Sequence, residues 1–312
     1  MAQHTKLLKS EIEEIANRFN LKVINHVPIE QGFANTNFLI NTDHGKYILT
    51  VFEIEPIRVD HMSRVLLWLE KYEFPAPRIE NLANGELLTT YQEKTVMIKP
   101  YITGQVIMDL DEEKVFQVGT ALAKLHEIPV PDYLPDKHMY VENTYPTILE
   151  QRIDQKYKNW IRQRYHFLQQ NIPTTLPIGL VHGDIFCDNL LFENDNFKAI
   201  LDFEAVSRIY KVFDLGMTAV GICTDDTKVR LEKVSALVAG YQDIRMLKEN
   251  EKRSLQMFIE YGAILTSTWR FWKYNIDKPD TEMANRYMQM VKIAKDIITV
   301  PNTLFINTVF RY

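Results

Sequence analysis

The sequence predicts an α+β chain of two lobes, a small N-terminal lobe built on an antiparallel sheet and a larger, mainly helical C-terminal lobe. Three observations predict it. The chain has 312 residues with 46% hydrophobic content, enough to bury a sizeable core and suited to two lobes rather than one compact body. Strand-like runs separated by turn signals fill roughly the first hundred residues, with helical segments among them. Beyond them helical patterning dominates, broken by one strand, hairpin and strand between residues 180 and 201, with no internal repeats and no low-complexity linker. The division falls at residues 1–101 and 102–312.

Ser10 and Glu13 read as a capping box ahead of a helix to about Phe19. Three strands follow, at about Lys22 to Glu30, Thr36 to Asn41 and Lys46 to Phe52, the last two joined by Asp43-His44-Gly45, a hairpin turn by composition. A helix from about Asp60 to Tyr72 carries Val65, Leu66 and Leu69 and ends at Phe74-Pro75-Ala76-Pro77, because proline cannot continue it. Two more strands lie near Glu86 to Tyr91 and Thr95 to Tyr101. Leu122-Ala123-Lys124-Leu125-His126 closes a helix, with His126 as a helix-end residue, and another helix is expected from about Pro146 to Gln170. Leu180-Val181, Leu190-Leu191-Phe192 and Phe197 to Leu201, turned at Asn194-Asp195-Asn196, supply the short strands of the second lobe.

Composition excludes several classes. No apolar run approaches the roughly 20 residues that span a bilayer, and Met1-Ala2-Gln3-His4-Thr5-Lys6 lacks the apolar stretch of a signal peptide, so a cytoplasmic location is expected. The two cysteines, Cys187 and Cys223, have no metal-ligand spacing. A net charge of −5 argues against nucleic acid as partner. Arg152, Lys156, Lys158, Arg162 and Arg164 do alternate with Tyr157, Trp160 and Tyr165, but the aromatics recur at helical spacing and read as the buried side of a helix with a solvated basic face.

The chemistry concentrates in His182-Gly183-Asp184-Ile185-Phe186-Cys187-Asp188-Asn189 and Ile200-Leu201-Asp202-Phe203-Glu204. An isolated Asp-x4-Asn is ordinarily a turn. Set on a loop between short strands, with a second acid at the exit of the next strand, it is the minimum equipment for moving a phosphoryl group to a hydroxyl. One carboxylate, Asp184, orients the attacking hydroxyl and accepts its proton, while Asn189 and Asp202 hold the Mg²⁺ that neutralises the phosphates. A cysteine hydrolase using Cys187 with His182 is the competing reading; both lie on one loop, without a third orienting group or an oxyanion-hole motif.

The run from Leu180 to Gly216, with His182-Gly183-Asp184, Asn189, Leu201-Asp202-Phe203 and Phe213-Asp214-Leu215-Gly216, resembles the aminoglycoside phosphotransferase, choline kinase and homoserine kinase superfamily, small-molecule kinases with a bilobal protein-kinase-like fold. The likeness extends over about residues 10 to 300. It implies ATP and Mg²⁺ as cofactors, residues 1–101 as a nucleotide-binding lobe, and residues 102–312 as a catalytic and substrate-binding lobe. It makes Asp184 the catalytic acid and Asn189 and Asp202 the metal ligands. Asp214 then braces the catalytic loop from the following helix, and the His182 ring ties that loop to the Asp202 segment.

Gln31-Gly32-Phe33-Ala34-Asn35-Thr36-Asn37 corresponds to the loop that covers the nucleotide phosphates in this superfamily. The backbone at Gly32 and the side chains of Asn35, Thr36 and Asn37 are its expected donors. Gly32 to Phe38 and Tyr47-Ile48-Leu49-Thr50-Val51-Phe52-Glu53 also resemble type II homoserine kinases. Most of the superfamily has a cation where Thr50 stands, paired to a Glu where Met62 aligns; homoserine kinases themselves lack a cation at this strand position, so the absence reads as a subfamily mark with Lys46, Arg58 or Arg64 as substitutes, an inactive nucleotide-binding pseudokinase being the alternative. Met97 to Gly104 looks like the hinge, with the Lys99 and Tyr101 main chains on adenine.

Gly262 to Lys273 resembles the arginine- and aromatic-bearing helix of homoserine kinases. Trp269 and Arg270 are expected at the acceptor, with the Arg270 fork on a carboxylate and Glu204 on an amine; the competing reading makes Trp269 and Trp272 core, with Arg270 and Lys273 outside it. The expected partner is a small hydroxyl acceptor, L-homoserine first, with neither nucleic acid nor membrane involved. A kinase for another amino alcohol or an aminoglycoside, such as a choline or ethanolamine kinase, is the alternative.

Overall fold

The computed structural model describes residues 5–29, 35–139, 144–151 and 154–311. They form two compact units: residues 1–104 with 199–204, and residues 105–198 with 205–312. The stretch 199–204, which includes Asp202, thus clusters with the N-terminal unit although it lies deep in the second half of the sequence.

The N-terminal unit is one five-stranded antiparallel sheet and two helices. Helix α1 (Lys9–Asn17) precedes β1 (Val23–Ile29), β2 (Thr36–Thr42) and β3 (Gly45–Val51). Helix α2 (Pro56–Lys71) leads to β4 (Thr89–Tyr91) and β5 (Lys94–Pro100). The strand order is β1-β2-β3-β5-β4. Alternation decides which face is which. Phe38, Ile40, Tyr47, Leu49, Val51, Val96 and Ile98 join Ile12, Ile15, Ala16, Phe19 and Leu21 in one buried cluster. The registers Asn37↔Thr50, Thr50↔Met97 and Ile48↔Lys99 place those five residues together on the opposite face.

Helix α1 starts earlier than the expected Ser10–Glu13 box. Glu11 closes its first turn by accepting the Leu8 N–H at 2.6 Å, so the N-terminus is set one residue before Lys9.

In the C-terminal unit, α3 (Glu112–Glu127) begins at Asp111, whose side chain accepts the Lys114 N–H. The helix expected from 146 to 170 is two helices, α4 (Tyr145–Glu150) and α5 (Gln155–Asn171). The break has a local cause: Asp154 takes a left-handed conformation, φ 38°, and its carboxylate caps the new helix at the Tyr157 N–H, 2.9 Å. Strand β6 (Ile178–Val181) runs into the loop that carries Asp184 and Asn189, followed by the hairpin β7 (Leu190–Glu193) and β8 (Asn196–Ile200). Strand β9 (Ser207–Tyr210) pairs antiparallel with β6 and feeds α6 (Lys211–Ile222). The small ribbon β10 (Thr224–Asp225) and β11 (Lys228–Val229) comes before α7 (Leu231–Gln242) and the long α8 (Glu249–Trp272). Helices α9 (Tyr287–Thr299) and α10 (Asn302–Val309) end the chain.

Helix α8 packs on α6 and α9, and α3 packs on α7. Among the described residues no helix is long and apolar enough to cross a membrane.

Candidate active site

In the C-terminal unit the loop after β6 is built around a fully buried carboxylate. Asp214, in the first turn of α6, accepts the backbone N–H of His182 at 2.7 Å and of Gly183 at 2.8 Å. His126 at the end of α3 contacts the same carboxylate through Nε2 at 3.1 Å, and its Nδ1 lies 2.7 Å from the Tyr241 hydroxyl. Burial lowers the His126 pKa, opposed by the hydrogen bond to Asp214 and its charge. Burial also opposes the charge of Asp214, but the His126 contact, the nearby histidines and the Gly183 N–H outweigh it and hold the carboxyl below its ordinary range. Nε2–H therefore donates to Asp214, Nδ1 accepts from Tyr241, and Arg245 donates to the Tyr241 oxygen at 3.1 Å while gripping Glu251 through two contacts of 3.0 Å.

Gly183 must be glycine. Its φ is +82°, and a Cβ there would sit 2.7 Å from His138 Nε2, which itself contacts the Gly183 carbonyl at 3.1 Å. Next, Asp184 is fastened by its backbone at both ends. Its N–H donates to His182 Nδ1 at 3.2 Å, and its carbonyl accepts the Asn189 side-chain amide at 2.8 Å. Through Nδ1 the His182 ring thus serves the Asp184 turn.

Arg270 lies near the end of α8, where the helix continues into a π-helical turn over Lys273–Asp277, a distortion common at functional sites. The guanidinium donates to Gln289 Oε1 at 2.9 Å. Among the described residues no carboxylate lies within ion-pair distance of it. Burial, with the Arg286 charge adding to it, pushes its pKa down to about 10, against the opposing pull of Tyr274, Asp184 and Asp188; it stays charged at neutral pH. Trp269 stands edge-on to Tyr274, ring centroids 6.2 Å apart. Of this stretch Phe271 is the core residue, at 2% exposure; Trp269 and Trp272 are only half-buried.

In the N-terminal unit the loop residue Gly32 lies outside the described residues. The side chains expected to donate to phosphate are engaged within the protein. Asn35 donates its amide to Glu204 and accepts the Glu53 N–H at 3.0 Å. Thr36 donates to Glu53 at 3.0 Å, and Asn37 accepts the Thr50 hydroxyl at 2.8 Å. The Tyr101 N–H closes the sheet on the Lys46 carbonyl at 2.9 Å, which removes it as an adenine donor. Lys99 carries its ammonium 5.8 Å from the Phe52 ring centroid; burial lowers its pKa, opposed by the charges of Asp202 and Glu204. Asp202 is exposed and left-handed, φ 58°.

A hard divalent cation fits the donor chemistry. With its amide N–H committed to the Asp184 carbonyl, Asn189 turns its Oδ1 away, and no described group donates to it. An amide oxygen is a hard donor of the kind Mg²⁺ takes, and in the other unit the exposed Asp202 carboxylate is another. Among the described residues no three His, Cys, Asp or Glu gather as a softer metal would need. The thiol reading fails on chemistry: Cys187 is buried, its Sγ faces the Gly221 carbonyl at 3.7 Å, and burial pushes its pKa up to about 11. The basic helix is not a free basic face either, since Arg164 grips Glu260 at 2.6 and 2.9 Å and Lys158 is buried; Arg152 lies outside the described residues.

A family model described as "Phosphotransferase enzyme family" matches residues 25–247. The chain belongs to this family. A homoserine kinase of Bartonella henselae is 24% identical over 275 residues, covering 85% of this chain and 86% of that protein. One of Sinorhizobium medicae is 24% identical over 318 residues, with 96% of each covered. Among solved structures, an amicoumacin kinase in complex with AMP-PNP, Ca²⁺ and Ami superposes with a TM-score of 0.73 at 13% identity, covering 95% of this chain and 97% of that one. A microcompartment-associated aminopropanol kinase gives 0.73 at 16%, covering 91% and 95%. The phosphotransferase has the kinase-like fold that its sequence predicted, a small antiparallel sheet followed by a largely helical remainder.

Proposed function

We propose that the chain transfers the γ-phosphoryl group of ATP to the hydroxyl of a small amino-acid acceptor, L-homoserine being the first candidate. One observation carries the reading: in a single unit, a carboxylate fastened at both backbone ends, Asp184, acts electrostatically on a desolvated arginine, Arg270, that has no carboxylate of its own among the described residues. The acceptor hydroxyl oxygen forms the new bond to Pγ and gives its proton to Asp184; the bond from Pγ to the bridging oxygen breaks, and ADP leaves. Asn189 and Asp202 would hold Mg²⁺, which when bound would supply charge neutralisation on the phosphates. Arg270 orients the acceptor by its carboxylate, a planar match that a quaternary or primary ammonium cannot make. The curated relatives named homoserine kinase support the same acceptor.

The test is ADP release with L-homoserine, its decarboxylated analogue 3-aminopropan-1-ol, choline, ethanolamine and an aminoglycoside. Homoserine is expected to lead, with kcat/KM for 3-aminopropan-1-ol lower by more than about tenfold, the least that loss of a desolvated charge pair costs. Equal use of the two would overturn the carboxylate contact. MgATP binding without turnover of any acceptor would make the chain a pseudokinase.

A further inference from the structure

We propose that the ammonium of Lys99, carried by β5, binds the nucleotide polyphosphate in place of the cation absent from β3. This rests on the ATP-dependent reading above. The β3 position is held by Thr50, whose hydroxyl is spent on Asn37 at 2.8 Å, and Met62 on α2 is buried and apolar. No ion pair of the usual kind can form there.

The other cations of this unit are occupied or misplaced. Arg58 lies 3.6 Å from Glu55 and Arg64 3.7 Å from Asp60, each within its own helix. Lys94 is paired with Glu53, and Lys46 is exposed. Lys99 differs on every count. It stands opposite Ile48, on the sheet face that Thr50 and Met97 share. Its ammonium packs 5.8 Å from the ring centroid of Phe52, the residue just beyond the end of β3. The side chain therefore runs along the strand past the level of Thr50.

Among the described residues no carboxylate lies within ion-pair distance of this ammonium. Asp202 and Glu204 act on it only through longer-range charge. A cation–π contact with a phenylalanine returns only part of what a desolvated ammonium loses from water. An anion is the missing partner, and the candidate metal ligand Asp202 belongs to the same surroundings, where a metal-bound polyphosphate would supply one.

Binding of MgATP, MgADP and adenosine to wild type, Lys99→Met and Lys99→Arg, each checked for folding by thermal melting, tests this. Lys99→Met should weaken MgATP and MgADP by at least about tenfold and leave adenosine unchanged, and Lys99→Arg should restore most of the loss. If Lys99→Met fails to fold, Lys99→Gln is read in the same way. Unchanged MgATP affinity in the neutral variant overturns the role of Lys99 while the kinase reading stands. Equal losses for MgATP and adenosine also overturn it, because the side chain would then act through the strand. A wild-type chain that binds no adenine nucleotide brings down both readings.

Discussion

Asp214→Asn keeps the size of the buried side chain while replacing one acceptor oxygen by an N–H donor. Three donors converge on that carboxylate: the His182 N–H at 2.7 Å, the Gly183 N–H at 2.8 Å and His126 Nε2–H at 3.1 Å. One oxygen takes His182 and His126, the other Gly183. The least costly amide orientation keeps the oxygen on the first pair and sets its NH₂ against the Gly183 N–H. The Gly183 N–H and the new NH₂ are then two donors facing each other without an acceptor between them, which costs about 1–3 kcal/mol for each donor left unsatisfied, and the two surviving bonds fall from charge-assisted to neutral strength. Thermal melting should show a loss of several degrees. The kcat should fall through displacement of the Asp184 turn, and the Mg²⁺ requirement should rise with it because Asn189 is tied to that turn. The wild-type pH dependence carries the same information. The folded pKa of Asp214 is lowered, so its contribution is present above the ordinary carboxylate range and is lost as pH falls through the folded value. In the variant that acid-side loss should shrink. A variant with wild-type melting temperature and wild-type acid sensitivity would refute the claim that this carboxylate holds the loop.

Asp184→Asn should lower kcat by about 10²–10⁴-fold, as loss of a general base does, with MgATP affinity preserved; more than about a third of the wild-type rate would mean that another group takes the proton. Asp202→Ala should raise the Mg²⁺ requirement and weaken MgATP, as a Mg²⁺ titration of turnover would show. Asn189→Ala should shift that titration less, yet leave a kcat deficit at saturating Mg²⁺, because it also frees the Asp184 carbonyl. Arg270→Ala should raise the homoserine KM by more than about tenfold, in line with stripping one partner from a desolvated charge pair, with little change in the ATP KM; an unchanged homoserine KM in steady-state kinetics would remove Arg270 from the acceptor site.

Strand β2 was legible because it has one buried face, so that Phe38 and Ile40 alternate with Asn37 and Leu39 and pin the register. The split between α4 and α5 was not. Tyr157, Trp160 and Tyr165 continue a helical period up to a break made by a left-handed aspartate, and neither glycine nor proline marks it. Helix α1 was misplaced for a related reason: Ser10 and Glu13 have the composition of a cap, while Glu11 makes the contact.

The site divides along the same physical line. Asp184 and Asn189 are five residues apart because one tight turn must hold both, so sequence spacing reports them. What fixes that turn comes from afar. His138 reaches Gly183 across 45 positions, His126 reaches Asp214 across 88 and Tyr241 across 115, and a lone histidine at a helix end gives no local sign of such a role. Lys99 shows the converse. Its place in the hinge segment suggested a main-chain contact, yet its main chain lies in the sheet opposite Ile48, and its side chain carries the feature that calls for a ligand.

Asn189 joins the two halves of the chemistry in one side chain. Its amide N–H fixes the Asp184 carbonyl, and under the proposed function that same commitment turns its oxygen outward to serve as a hard ligand. An aspartate in its place would keep a ligand oxygen but lose the donor, and a serine would be too short to span the turn. On the proposed function the spacing of this acid and amide follows from one constraint: the group proposed to take the proton and the proposed ligand of the charge-neutralising ion are set by the same hydrogen bond, so that neither is misplaced without the other.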